Sequence, residues 1–251
     1  KQRSLGLRSK AKMIGLTVVA LTFGIVSLLP ALEDAREQTP ASRHLSFIRD
    51  FESFTLPAFV VVLLIWLIVA GTSNAVNLTD GLDGLASGLT AIASFTFAVF
   101  AYVIGNFRTA DYLQVFYMRG AGELTVFCLA LAGACIGFLW YNTHPAQVFM
   151  GDTGSMGLGG ALAAFAIMTK TELLLILIGG IFLIEALSVI VQVVSFKWFG
   201  RRVLLMAPLH HHFEMKAWSE TRITVRFWIV TAILCACGFV LYYRYASEFA
   251  S

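Results

Sequence analysis

Charge is scarce in this sequence. Only 13% of its 251 residues are Asp, Glu, Lys or Arg, about half of the roughly 25% typical of soluble domains. That scarcity excludes an ordinary soluble globule. There is no basic run with interleaved aromatic residues, and the net charge is only +3, so nucleic acid is not an expected partner. The four cysteines, Cys128, Cys135, Cys235 and Cys237, lie inside apolar runs without zinc-site spacing. They argue against a disulfide framework and read as small apolar packing residues. No long-period repeat, coiled-coil heptad or low-complexity tract occurs. No signal peptide is visible and residue 1 is Lys, so we expect the N-terminus to be incomplete, with further spans before it.

What is abundant is apolar. Hydrophobic residues make up 58% of the chain and the mean hydropathy is +0.79. The expected fold is all-α, a polytopic membrane helical bundle, with residues 1–251 forming a single integral membrane domain. Seven apolar segments can be placed: Met13–Leu32, Phe54–Ser73, Leu85–Ile104, Leu124–Tyr141, Ser155–Thr169, Leu173–Phe199 and Ile223–Tyr243. Most of Trp66, Trp140, Trp198, Trp218 and Trp228 lie near segment ends or in loops, as interfacial belt residues do.

Lys and Arg placement orients the bundle. The start carries Lys1, Arg3, Arg8, Lys10 and Lys12, and the last long connection carries Lys197, Arg201, Arg202, Lys216, Arg222 and Arg226. The opposite side has Arg36, Arg43, Arg49, Arg108, Arg119, Lys170 and Arg244, offset by Glu33, Asp34, Glu37, Asp50 and Glu52. Positive charge marks the cytosolic side, which places the connections Asn74–Gly84, Asn142–Gly154 and Gly200–Arg222 there together.

Those connections carry the polar residues worth explaining. In Asn77-Leu78-Thr79-Asp80-Gly81-Leu82-Asp83-Gly84-Leu85, two acids sit at a membrane edge, where acids mark ion, proton or substrate sites. Their spacing of three predicts a shared face on a helical turn. In Asn142-Thr143-His144-Pro145-Ala146-Gln147-Val148-Phe149-Met150-Gly151-Asp152-Thr153-Gly154-Ser155, Asp152 precedes a helical segment. It can serve as a cap or, beside backbone N–H groups that favour phosphate, as a ligand for Mg²⁺ shared with phosphate oxygens. Phe149 reads as either a packing residue or a stacking face for a base. In Pro208-Leu209-His210-His211-His212-Phe213-Glu214, consecutive histidines on a helix diverge by about 100°. One metal held by all three is not expected; phosphate binding or proton transfer is. Glu185, in the middle of the sixth segment, should face a polar interior.

Taken together, these strings resemble the polyprenyl-phosphate N-acetylhexosamine-1-phosphate transferases. The uninterrupted His triplet followed by Phe-Glu looks most like the bacterial phospho-N-acetylmuramoyl-pentapeptide transferase branch. The resemblance runs through the whole chain, loop order included. It implies ten spans in the family, of which the seven here match the last seven. It also implies an Asp-Asp pair with a nearby Lys that this chain does not contain.

The implied activity is transfer of phospho-N-acetylmuramoyl-pentapeptide from UDP to undecaprenyl phosphate, with Mg²⁺, at the cytosolic face of the bacterial inner membrane. The products are UMP and lipid I, a precursor for peptidoglycan and hence for cell shape and division. The implied partners are UDP-N-acetylmuramoyl-pentapeptide, undecaprenyl phosphate, the lipid bilayer and, as a homodimer, a second copy. Matched by position, Asp152 is the metal ligand, Asp80 lies near the reaction centre and Asp83 near the nucleotide. Asn77 is the polar residue beside those acids, Asn142 lies close to the uridine and Phe149 stacks on uracil. His210, His211 and His212 meet phosphates or sugar. Rival readings are a transferase of UDP-N-acetylglucosamine, an ion-coupled transporter using Asp80, Asp83 and Glu185, and a non-catalytic scaffold.

Overall fold

The computed structural model describes residues 9–33, 39–46, 50–113, 115 and 117–248. Ten α-helices account for most of them: α1 Ser9–Val26, α2 Ala58–Thr79, α3 Leu85–Gly105, α4 Phe107–Tyr112, α5 Ala121–Asn142, α6 Gly151–Met168, α7 Leu175–Ile178, α8 Gly180–Phe199, α9 Leu209–Glu214 and α10 Glu220–Glu248. A small antiparallel hairpin, β1 His44–Ser46 and β2 Asp50–Thr55, joins α1 to α2. Of the charges used for orientation, Lys1, Arg3, Arg8, Asp34, Arg36, Glu37 and Arg49 lie outside the described residues.

Among the described residues, six helices are long and apolar enough to cross a membrane: α1, α2, α3, α5, α8 and α10. Their outward side chains are themselves apolar. Val126, Ile136, Phe59 and Ile14 are all more than 55% exposed, as expected of helices solvated by lipid. The fifth expected span forms α6, whose 18 residues match α1 in length but begin with a polar turn. The sixth is broken at Gly179 into α7 and α8.

Helix ends follow local chemistry. The Asn106 side chain accepts the Thr109 N–H at 3.2 Å and starts α4. Glycines at positive φ, Gly120 (87°) before α5 and Gly200 (64°) after α8, mark sharp boundaries.

The core forms around α3, the most buried of the candidate spans. Leu85, Leu89, Phe97, Phe100 and Ile104 are fully buried against α5, α6 and α10. Phe100 stacks on Tyr242 of α10 with ring centroids 4.6 Å apart. A second cluster joins α1, α2 and α6 through Ala20, Val61, Ile65 and Ala163, and Trp66 Nε1 donates to Thr17 Oγ1 at 3.2 Å.

At Gly159 the backbones of α2 and α6 touch. A Cβ there would lie 2.6 Å from both the Thr72 carbonyl oxygen and Ser73 Cα. Trp228 likewise packs on Gly88, where a side chain would overlap its indole, so it is not a belt residue. Cys128, Cys135 and Cys235 are buried as expected, whereas Cys237 is exposed.

Candidate functional site

The three connections expected to share a side do meet at one end of the bundle. Asn77, on the first, reaches Asp152 on the second. Asp83 and His144 lie beside Glu220 at the start of α10, and His210 packs on Gly81. The basic start joins them through an ion pair between Lys12 and Asp152. At the far end, the Lys170 ammonium donates to the Thr39 carbonyl at 3.1 Å.

α2 runs six residues past its expected end. Its polar last turn is satisfied: Asn74 Nδ2 donates to the Ala70 carbonyl at 2.7 Å and Thr79 Oγ1 to the Ala75 carbonyl at 2.8 Å. Asn77 therefore sits on a helix, where its Nδ2 donates to Asp152 Oδ1 at 3.0 Å and to Ser155 Oγ at 2.9 Å.

Asp80 and Asp83 do not share a helical face. Residues 80–84 form a turn closed by Gly84 at φ 73°, and the two acids have different partners although both line the cavity described below. Burial there holds the Asp80 carboxyl above the ordinary carboxylate range. Asp83 accepts the Ala146 N–H at 2.9 Å and lies 3.2 Å from His144 Nδ1.

Asp152 is in the first turn of α6 and caps nothing; the N-cap position is Met150, which makes no side-chain cap bond. Its carboxylate is half exposed and free to take a ligand besides Lys12 and Asn77. Phe149 is 75% exposed, so its ring is not a packing residue.

Asn142 is buried with both ends of its amide engaged. Oδ1 accepts from Gly84 N at 3.2 Å and Ser87 Oγ at 3.0 Å, while Nδ2 donates to the Val148 carbonyl at 2.8 Å. It ties the turn before α3 to the loop that carries Phe149. Asn77, Asp80, Asp83, Asn142, Phe149 and Asp152 line one cavity of about 240 Å³.

The histidines diverge as expected. His210 is buried against Glu185, with its Nδ1 3.1 Å from Glu185 Oε2. His211 pairs with Glu214 through Nδ1, and His212 Nδ1 accepts the Leu205 N–H at 3.1 Å. Glu185 is thus not stranded at mid-membrane. The segment after α8 folds back along it, held by Gln192, whose Oε1 accepts from Leu204 N at 2.9 Å and whose Nε2 donates to the Leu204 carbonyl at 3.0 Å. That return carries His210 to Glu185. Arg222 and Arg226 lie over the Trp218 ring, at 4.6 and 4.5 Å.

Sequence reasoning did not single out Lys12, His144 or Glu220. His144 stands within the second polar string, and Lys12 ends the basic start; Glu220 had no local signal. Asp83, His144 and Glu220 bring three ligand atoms within 4.8 Å of one another. His144 Nδ1 lies between the two carboxylates, 3.2 and 3.3 Å away, within hydrogen-bond reach of both. Magnesium prefers hard oxygen ligands, few carboxylates and substrate phosphates. Asp152 suits it better: an exposed carboxylate in an acid-lined cavity, already facing a cation in the Lys12 ammonium.

The glycosyl transferase family 4 profile matches residues 4–170. A protein of Nocardioides sp. named phospho-N-acetylmuramoyl-pentapeptide-transferase is 55% identical across 97% of this chain and 70% of its own length. Proteins with the same name in Gemmatimonas aurantiaca and Corynebacterium jeikeium are 49% and 47% identical. They align with 94% and 97% of this chain, which spans 64% and 68% of their own lengths.

Proposed function

This chain belongs to glycosyl transferase family 4, among the phospho-N-acetylmuramoyl-pentapeptide-transferases, and from that premise we propose its reaction. Phospho-N-acetylmuramoyl-pentapeptide passes from its UDP carrier to undecaprenyl phosphate, giving lipid I and UMP. The observation that carries this reading is the convergence of Asn77, Asp80, Asp83, Phe149 and Asp152 on one cavity at a single end of a membrane bundle. A nucleotide–sugar donor from water can meet a lipid phosphate there. The charge bias supports a cytosolic side for that end, in the bacterial inner membrane.

In the reaction, an oxygen of the lipid phosphate forms a bond to the sugar-linked phosphorus of the donor. The bond from that phosphorus to the bridging oxygen breaks, and UMP leaves with the electron pair. Phe149 offers an exposed ring for uracil to stack on, and Asp83, which lines the same cavity, would face the nucleotide. Asn142 positions this pocket by holding the Phe149 loop against the turn before α3.

Asp152 would hold Mg²⁺ together with phosphate oxygens. A cation held by Asp152 would supply positive charge to offset the charge of the donor and acceptor phosphates. Asn77 fixes the Asp152 carboxylate, and Lys12 adds positive charge for the incoming phosphates. Asp80, made more basic by burial, is suited to accept a proton from the lipid phosphate.

The names of the relatives favour neither a UDP-N-acetylglucosamine transferase nor a transporter. Membranes containing the protein, given radiolabelled donors, decide among them. Lipid-extractable product from UDP-N-acetylmuramoyl-pentapeptide but not from UDP-N-acetylglucosamine is expected. Comparable product from both would leave only the wider family.

A further inference from the structure

Glu185 and His210 form the most deeply buried acid–imidazole pair among the described residues, with side chains 0% and 1% exposed. Glu185 Oε1 accepts the His210 backbone N–H at 3.2 Å. Its Oε2 lies 3.1 Å from His210 Nδ1; the two are within ion-pair distance but not aligned as a hydrogen bond, and both are otherwise unpartnered among the described residues. A carboxylate so buried needs a donor for each oxygen. For an ionised Glu185 the backbone N–H serves one oxygen, and among the described residues the nearest group that can serve the other is a proton on Nδ1. In the neutral ring Nε2 then carries the lone pair.

Among the described residues, that buried Nε2 has no hydrogen-bond partner. It lies against Gly81 so closely that a Cβ there would overlap it, beside the turn that carries Asp80. The neighbouring rings are set differently. His211 faces the Glu214 carboxylate through Nδ1, whereas His212 Nδ1 accepts a backbone N–H, which puts the His212 proton on Nε2.

We propose that Glu185 is a positioning residue that locks His210 as the Nδ1–H tautomer. Nε2 is thereby presented at the Asp80-Gly81 turn as an acceptor for a substrate O–H. Of the three adjacent imidazoles, His210 is the acceptor and His212 the one with a free N–H. The identity of the O–H donor rests on the transferase reading; the tautomers do not.

The test is a long-range ¹H–¹⁵N correlation spectrum of the chain in lipid nanodiscs, with ¹⁵N-labelled histidine and His210 identified by loss of its signals in His210→Gln. The expected spectrum shows a protonated Nδ1 and an unprotonated Nε2 for His210, and the reverse for His212. Glu185→Gln keeps the size, but its amide has one oxygen for two donors, so His210 loses its single tautomer. A His210 proton on Nε2 in the parent, or an unchanged His210 spectrum in Glu185→Gln, overturns the proposal. If Glu185→Gln does not fold, the parent spectrum still decides.

In radiolabelled-lipid assays, Glu185→Gln should lower kcat about tenfold or more, as the wrong tautomer does in a serine-protease triad. Donor KM should stay within about twofold, because the change leaves substrate binding groups in place, and Glu185→Asp should restore part of the rate. An unchanged kcat, or a loss confined to KM, overturns the acceptor role. A parent that makes no lipid-linked product overturns the transferase reading, while the spectra still decide the tautomer.

Discussion

Asn77 and Asp152, 75 residues apart in sequence, meet through a 3.0 Å hydrogen bond between the amide nitrogen and one carboxylate oxygen. The bond leaves the other oxygen to Lys12 and so sets how Asp152 faces the cavity. Partners that orient a metal ligand are typically worth 10- to 100-fold in metal affinity or activity. Asn77→Ala should therefore raise the Mg²⁺ concentration needed for half-maximal turnover by about that factor, and Asp152→Asn should abolish turnover. Melting should barely move for Asp152→Asn, because half-exposed ion pairs contribute about 0–1 kcal/mol. A Mg²⁺ titration of transferase rate, paired with thermal melts, checks both.

Asp80 should trade stability for activity. Burial makes its carboxyl hold a proton more tightly in the folded protein than in the unfolded chain. The fold is then penalised as pH rises from the ordinary carboxylate value of 3.8 through the raised one, and the penalty persists above both. Asp80→Asn removes it. The variant should melt higher than the parent at pH 7 and by a smaller margin near pH 4, while losing transferase activity. Melts at the two pH values give the sign directly; a lower melting temperature at pH 7 would contradict it.

Phe149 should act on nucleotide affinity and little else. Stacking of a base on an aromatic ring is worth roughly 1–3 kcal/mol, about 5- to 150-fold. Phe149→Ala should weaken UMP binding within that range with an unchanged melting temperature, since the ring is already exposed. Calorimetric titration with UMP and a melt of the same sample separate this from a packing role.

Gly81→Ala should disturb the histidine loop. The new methyl group would overlap the His210 ring, and overpacking of this kind costs about 1–3 kcal/mol. The expected result is a lower melting temperature with reduced turnover and UMP affinity within about threefold of the parent. Kinetics and melts of Gly81→Ala, with Gly71→Ala as a control that meets no neighbour, provide the measurement.

Much of this site is legible in the chain because membrane helices leave few places for polar residues. Asp80, Asp83, Asp152 and His210 stand out against apolar runs, and their common side follows from alternation. The end of α2 was not legible, since Asn74, Asn77 and Thr79 look like loop residues until their side chains find carbonyl or cross-helix partners. The shared face expected of Asp80 and Asp83 failed because α2 ends at Thr79 and the chain turns through residues 80–84, closed by Gly84 at positive φ. Glu185 could not be paired from sequence because its partner arrives only when the segment after α8 folds back along Gln192. Lys12, His144 and Glu220 join the site by the same kind of long-range convergence.

The contact at Gly159 has a mechanical consequence. Bilayers of different thickness are accommodated largely by tilting helices, and two helices that touch backbone to backbone tilt about their point of contact. Ser73 and Gly159 each lie four residues from the polar groups that face each other across the site, Asn77 and Ser155. At 1.5 Å per residue that is a lever arm of about 6 Å, so a 10° change in crossing moves those groups by about 1 Å. The other end of α2, at Ala58, lies 15 residues from the same pivot and swings by about 4 Å under the same tilt. The fulcrum is close enough to the site that the membrane can flex the bundle while hardly moving the pair that holds Asp152.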